Sequence, residues 1–358
     1  MRNYIVIASG GIGGAEKRFC DVFYEMRKRD ANVFLVIPSC LYSLLDVNSD
    51  DGVIVIELDK WSITRFYYFL YRNVIYHSDR NDTFHYPLNP PFFLHFFPRR
   101  KFSISFCYCY KSPRLFIKNK ALILQYLASF FSSSIDVLNQ RVLDDFISNN
   151  PRLKDRLKLT PGGTFLAKKH QGLKKKNKSI VYLSRLEEGK GINVLFQVIP
   201  MMHDIFCNNG YDDFCFDIYG KGSLEASVVR HVESLYQQGI KINYHGYIDS
   251  SAVFPNALAV LSLQTYTNYP SRVVAEALVY GCETIILDSG DSKKFGNQLG
   301  IHYLNENLNN ISDISMRILS SNEKKQEEIS ISASERFCSY DYILYYKNVF
   351  TSLRTDDE

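Results

Sequence analysis

The residues that open the question of chemistry are Ser9 to Arg18, "SGGIGGAEKR", where four glycines and then Glu16 follow the apolar run "YIVIA". Glycine in that place either lets the backbone turn or lets a ligand reach main chain that a Cβ would shield. Phe19, Val22, Phe23 and Met26 come next at helical spacing, so the loop joins a strand to a helix. The free N–H groups opening such a helix favour an anion. A turn that merely permits tight packing stays open beside that reading.

Two phosphate loops are excluded. A dinucleotide fingerprint laid on Gly11 and Gly13 meets Glu16 where its third glycine belongs, and "NVFLVIPS" ends without a ribose-binding acid. No G-x-x-x-x-G-K-S/T occurs anywhere in the chain.

The elements that must position this loop alternate in type. "YIVIAS", "NVFLVIPS", "GVIVIEL", "NVIYHS" and "FSISFCYCY" read as strands, with a basic aromatic helix over Lys60 to Tyr71. "KNKALILQYLASFF" and "SIDVLNQ" extend the pattern as helix and strand. Short apolar runs between amphipathic segments predict a parallel sheet covered on both faces. Turn residues in "KLTPGGTF" and six lysines in "KKHQGLKKKNK" (168–178) mark a solvated junction. The same alternation then restarts with "SIVYLSRLEEGKG", "FCFDIYGKGS", "INYHGYI", "LAVLSLQ", the helix "SRVVAEALVYG" closed by Gly281, and "ETIILDSG". The expected organisation is α/β, with two doubly wound Rossmann-like domains facing across a cleft. They span 1–165 and 179–335, with a linker at 166–178 and a C-terminal helix at 336–358 that packs back on the first domain.

Composition agrees with an ordinary globular chain, at 46% hydrophobic and 22% charged, long enough for two cores. A net charge of +4 without a zinc finger or RNA-binding signature gives no case for nucleic acid. The eight cysteines lie mostly within apolar runs, and Cys107 and Cys109 would point to opposite faces of a strand, which predicts buried free thiols in a reducing compartment. With no secretory h-region and no apolar run near spanning length, the expected place is the cytoplasm.

Three pieces in order, "GGIGGAE", "SRLEEGKG" and "NYPSRVVAEALVYG", with weaker echoes in "LTPGGT" and "ERFCSYDYILYYKNVF", resemble retaining glycosyltransferases of the GT-B fold, family 4 type. The resemblance runs over nearly the whole length. It implies a nucleotide-sugar donor, UDP- or GDP-linked, a glycan or lipid-linked glycan acceptor, and bacterial cell-surface polysaccharide assembly as context. Arg185 and Lys190 match the family's basic pair on the donor diphosphate, whose charge grows as the glycosidic bond breaks. Glu276 matches the second acid of the E-x7-E motif and would hold the ribose hydroxyls. Gly13, Gly14, Ser184, Gly220, Ser271 and Arg272 would line the donor, Arg272 being either a phosphate contact or a solvated helix residue. No metal or other cofactor is expected.

Two departures stand out. The first acid of the motif is replaced by Asn268, which on this pattern faces the donor sugar without charge. Cys107 stands where many relatives carry a histidine, leaving His77 and His85 as alternative cleft histidines, each more readily structural than catalytic. Glu16, His77 and Cys107 are the acceptor-side candidates. These departures keep a degenerate nucleotide-sugar-binding or scaffold paralogue in view, and a sugar-nucleotide 2-epimerase behind it. Aromatics interleaved with cations in "KWSITRFYYFLYR", "FFLHFFPRRKF" and "YKSPRLFIKNK" suit either a membrane surface, as a peripheral inner-face contact, or core plus solvated face.

Overall fold

The computed structural model describes residues 1–45, 52–106, 120–160, 178–265, 268–337 and 341–352. The chain divides into two units, Met1–Gly162 with Tyr340–Glu358, and Gly163–Ser339. Cys107, Cys109, Cys338 and most of the lysine-rich linker lie outside the described residues.

In the first unit parallel strands β1 (Asn3–Ile7), β2 (Val33–Pro38), β3 (Val53–Ile56), β4 (Thr83–Leu88), β5 (Lys101–Phe106), β6 (Ser134–Val137) and β7 (Leu157–Leu159) lie in the order 3-2-1-4-5-6-7. Helices α1 (Gly14–Arg27), α2 (Ser39–Leu44), α3 (Ile63–Leu70), α4 (Lys120–Phe131) and α5 (Gln140–Asn149) connect them. β1 is buried along its whole length, as an unbroken apolar run between two covered faces should be. One expected strand is not there. "NVIYHS" continues α3 through a π-helical turn, Tyr71–Ile75, because Phe66, Leu70 and Val74 form one buried helical stripe. The strand in its place is β4, "TFHYPL".

The second unit carries β8 (Ser179–Leu183), β9 (Cys215–Tyr219), β10 (Ile242–Gly246), β11 (Ala259–Ser262), β12 (Glu283–Leu287) and β13 (Ile301–Leu304) in the order 10-9-8-11-12-13. Its helices are α6 (Ile192–Asn208), α7 (Glu225–Gln237), α8 (Ser250–Val253), α9 (Arg272–Val279), α10 (Ile311–Leu319) and α11 (Glu323–Phe337). Leu195, Val198, Ile199 and Met202 of α6 pack on Ile180, Ile218 and Leu261 of the sheet. Both sheets reverse their strand order beside the first strand, so each is a Rossmann-like domain with a crevice at its carboxyl edge.

The last helix, α12 (Asp341–Ser352), belongs to the first unit. Its Tyr345 and Tyr346 hydroxyls donate to Asp136 Oδ1 and Oδ2 at 2.7 and 2.6 Å. Ser105 Oγ donates to the same carboxylate at 2.8 Å, and so does Thr160 Oγ1. Arg18 of α1 donates to the Tyr346 hydroxyl at 3.2 Å. Asp136 is 2% exposed, and four hydroxyl donors replace the water it loses.

Candidate functional site

In the second unit the strand order reverses between β8 and β11, and the loops leaving those two strands diverge. The β8 loop supplies Ser184, Arg185 and Lys190; the β11 loop supplies Gln264 and Asn268. Glycines let these loops stack. Gly191 sits at φ +79°, and a Cβ there would lie 1.8 Å from the Leu263 carbonyl oxygen. Gly220, at φ +141°, would put a Cβ 1.8 Å from the Ser184 carbonyl oxygen. Main-chain packing therefore requires glycine at 220, one of the residues expected to line the donor.

Lys190 Nζ donates to the neutral Gln264 Oε1 at 2.7 Å, and Arg185 is exposed. Among the described residues neither cation has a carboxylate partner. Glu187 lies between them in sequence, but its carboxylate accepts from Ser223 Oγ at 2.7 Å and Ser223 N at 3.1 Å. Burial, and then the Arg185 charge, push the Lys190 ammonium down to about 8. A half-buried ammonium and an exposed guanidinium at the carboxyl edge of the sheet are groups of the kind that can attract an anion.

On α9, Ser271 is the N-cap, accepting weakly from Val274 N at 3.5 Å. Arg272 Nε donates to Glu276 Oε1 at 2.5 Å, and Ser250 Oγ donates to Oε2 at 2.7 Å. Arg272 is thus engaged with its own helix. Glu276 is fixed in orientation and, having two lone pairs on each oxygen, keeps acceptor capacity for a diol.

Asn268, expected to face the donor sugar, is turned into the protein. It is 1% exposed, and its amide is satisfied internally. Nδ2 donates to the Ser262 carbonyl at 2.8 Å, while Oδ1 accepts from Ser262 Oγ at 3.0 Å and Gln264 Nε2 at 3.1 Å. Asp291 Oδ1 accepts from the backbone N–H groups of Asn268 and Tyr269 at 3.1 and 3.2 Å. Gln264 belongs to none of the three motifs, and nothing in its residue type or spacing marks it.

At the first sheet's edge Gly13 is the N-cap of α1, in extended conformation, and Gly14 is its first residue. Glu16 Oε1 accepts from Ser9 Oγ at 2.7 Å across the loop. A Cβ on Gly10 would strike the Trp61 ring at 2.4 Å, whereas Gly11 and Gly14 face open space. Asn89, at φ +45°, follows β4 and donates through Nδ2 to the Ala8 carbonyl at 2.8 Å, tying the loop after β4 to the loop after β1. Two candidate histidines are elsewhere. His77 is exposed in the turn before β4, at the amino-terminal edge of the sheet. His85 is buried within β4, with Nδ1 and Nε2 at 2.9 and 3.1 Å from Ser103 Oγ and Ser105 Oγ. Burial lowers its pKa to about 4, so it is a neutral core residue.

The whole chain superposes on solved structures. Anabaena HepE, solved with UDP and glucose, matches at a TM-score of 0.74 and 15% identity over 98% of this chain and 100% of that one. The pneumococcal O-GlcNAc transferase GtfA, solved with UDP and GlcNAc, matches at 0.72 and 12% over 99% of each. The fold is GT-B. A glycosyltransferase from Rickettsia africae shares it at 0.65 and 15% identity, over 99% of each chain. No family model and no curated protein matches the sequence.

In this GT-B chain Trp61 packs beside the glycine loop, Phe92, Phe96 and Phe97 meet α4, and "YKSPRLFIKNK" lies outside the described residues but for its last. Phe92 stacks on Phe131 at 5.1 Å, Phe96 meets Phe131 edge-on at 5.3 Å, and Phe97 is 83% exposed. Of the three adjacent cations only Arg99 is exposed. Arg100 Nε donates to Ser78 Oγ at 2.8 Å, and Lys101 Nζ is buried. No described helix is long and apolar enough to cross a membrane, and among the described residues no three His, Cys, Asp or Glu side chains gather as a metal centre requires. Of the described cysteines, Cys20 and Cys282 are buried, Cys40 and Cys215 half-buried and Cys207 exposed, a more open set than expected.

Proposed function

We propose that the protein is a retaining glycosyltransferase that moves a sugar from a UDP- or GDP-linked donor to a glycan or lipid-linked glycan acceptor, in bacterial cell-surface polysaccharide assembly. The observation that carries this is the pair Arg185 and Lys190, held without a carboxylate at the switch point of the second sheet. Charge develops on the leaving diphosphate as the glycosidic bond breaks, so fixed cations stabilise the transition state more than the ground state. Glu276, oriented by Arg272 and Ser250, accepts the ribose hydroxyls. Glu16 and the glycine loop take the acceptor side. The acceptor attacks the face the diphosphate leaves, assisted by that diphosphate, so positioning does the work of a nucleophile.

Calorimetry with UDP and GDP tests the site. Arg185→Ala or Lys190→Ala weakens diphosphate binding by about 1.5–3 kcal/mol, the range for hydrogen bonds to charged groups, and leaves uridine unaffected. Unchanged affinity for both nucleotides in both variants overturns the assignment. NMR of the product's anomeric configuration tests retention.

The exposed rings of Phe96, Phe97 and Phe131 beside Arg99 support a peripheral membrane contact. With one exposed cation among the three, the rings rather than the charge dominate: Phe97→Ser should lower liposome sedimentation more than Arg99→Gln. The reverse order would make the contact electrostatic.

A further inference from the structure

Lys190 sits at the end of a two-amide relay. Its Nζ donates to Gln264 Oε1 at 2.7 Å, Gln264 Nε2 donates to Asn268 Oδ1 at 3.1 Å, and Asn268 Nδ2 donates to the Ser262 carbonyl at 2.8 Å. Each amide has one donor end and one acceptor end, so these bonds admit one polarity. The Ser262 carbonyl requires an N–H from residue 268. That turns Asn268 Oδ1 toward Gln264, whose NH2 answers it, and the remaining Gln264 oxygen faces Lys190. Ser262 Oγ donates to Asn268 Oδ1 at 3.0 Å and locks the first amide.

We propose that Asn268 and Gln264 are positioning residues for Lys190: the asparagine sets the relay's polarity so that a neutral oxygen holds the ammonium in place without cancelling its charge. An acid at 268 could not do this, because its second oxygen would face the Ser262 carbonyl with no proton to offer. An acid at 264 would hold Lys190 but neutralise it. Asn268 therefore acts through Lys190 and not on the donor sugar. This rests on the reading of Lys190 as a donor-phosphate cation.

The other groups around Lys190 leave the relay as its polar anchor. Arg185 is the nearby charge, Glu187 is turned to Ser223, and the Tyr182 hydroxyl donates to the Lys190 main-chain oxygen at 2.8 Å.

Two measurements test the proposal. In protein carrying 13C-labelled lysine, the Lys190 signal is identified by its loss in Lys190→Met and titrated without nucleotide. Gln264→Glu, on a half-buried side chain, raises that titration by about one pH unit or more and lowers UDP affinity about tenfold at neutral pH. In calorimetry with UDP, Asn268→Asp lowers affinity about fivefold in the natural background and less than about twofold in Lys190→Met, as expected of residues acting as one unit. Equal effects of Asn268→Asp in both backgrounds, or a Lys190 titration unmoved by Gln264→Glu, overturn the relay. If even the natural protein binds neither UDP nor GDP, the donor reading fails, while the lysine titration still decides the relay. Should Asn268→Asp not fold, Gln264→Glu carries the test alone.

Discussion

The strand order 3-2-1-4-5-6 of the first sheet repeats as 10-9-8-11-12-13 in the second, yet the carboxyl edges of the two treat glycine and charge in opposite ways. In the second, Gly191 and Gly220 hold positive φ with a neighbouring carbonyl where a Cβ would go, and two cations have no ion-pair partner among the described residues. In the first, Gly11 and Gly14 face open space and have no positive φ, while Glu16 is bonded to Ser9. A rigid, positive edge suits a diphosphate. An open, acid-bearing edge suits hydroxyls. The shared topology places a crevice in each unit, and the loops decide what each crevice can hold.

The largest expected effect tests rigidity. Gly220→Ala or Gly191→Ala should destabilise the protein by more than about 4 kcal/mol in chemical denaturation, since a backbone carbonyl cannot yield as a side-chain tip does. A loss below about 1 kcal/mol in both would show that the loops relax and that the second edge is no more rigid than the first.

Next is the carboxylate that the first unit satisfies with hydroxyls. Asp136→Ala removes the acceptor shared by the Tyr345, Tyr346 and Ser105 hydroxyls and should cost about 3–5 kcal/mol, whereas Tyr346→Phe should cost about 1–2 kcal/mol. Similar losses from both substitutions would mean that the carboxylate holds α12 through Tyr346 alone.

Acid distinguishes the units as well. His85 and His95 of the first unit are buried, and desolvation lowers them to about 4 and about 3. The unfolded chain takes up these protons near the ordinary histidine value of 6.5, so stability falls as pH drops from there toward 4. His85 alone accounts for about 3 kcal/mol of that fall. Urea unfolding across this window checks it, and a flat profile would require His85 to be charged in the fold.

That same histidine shows where the sequence was legible and where it was not. Apolar runs such as "YIVIA" and "ETIILDSG" declare strands because burial on both faces demands them, and both Rossmann-like units follow from their alternation. "TFHYPL" does not declare itself: His85 is polar in a fully buried strand, and only Ser103 and Ser105 of the neighbouring strand make that tolerable. "NVIYHS" misleads for the complementary reason, since four of its residues lie within or next to a helix whose apolar stripe is too short to reveal its period. In the site, Arg185 and Lys190 could be read from a motif, whereas Gln264 could not. Its part depends on a contact 74 residues away in sequence.

A smaller effect concerns the Lys190 cation. Lys190→Met should stabilise the protein by about 1–2 kcal/mol at neutral pH, because a half-buried ammonium held down to about 8 is costly to fold. The folded protein loses that proton near pH 8 and the unfolded chain near 10.5, so natural stability rises over this interval and the variant's advantage shrinks. Destabilisation at neutral pH would mean the Gln264 bond outweighs desolvation, and the second edge would be built for stability as much as for binding.

The smallest effect answers what the glycine loop admits. Gly14 opens α1 with nothing within 4 Å of where a Cβ would lie, and its φ is not positive. Gly14→Ala should therefore raise stability by about 0.5 kcal/mol through the unfolded chain, the reverse in sign of Gly220→Ala. Open space with no structural need for glycine is what an approaching ligand would use. If hydroxyl groups or phosphates come to the backbone here, the more stable Gly14→Ala protein transfers sugar more slowly, with little change in UDP affinity, since the cations of the other unit are untouched. If transfer is unaffected as well, the loop is a turn and nothing more, and the contrast between the two edges reduces to the charge of the second. Denaturation, UDP calorimetry and transfer kinetics on this one variant separate these outcomes.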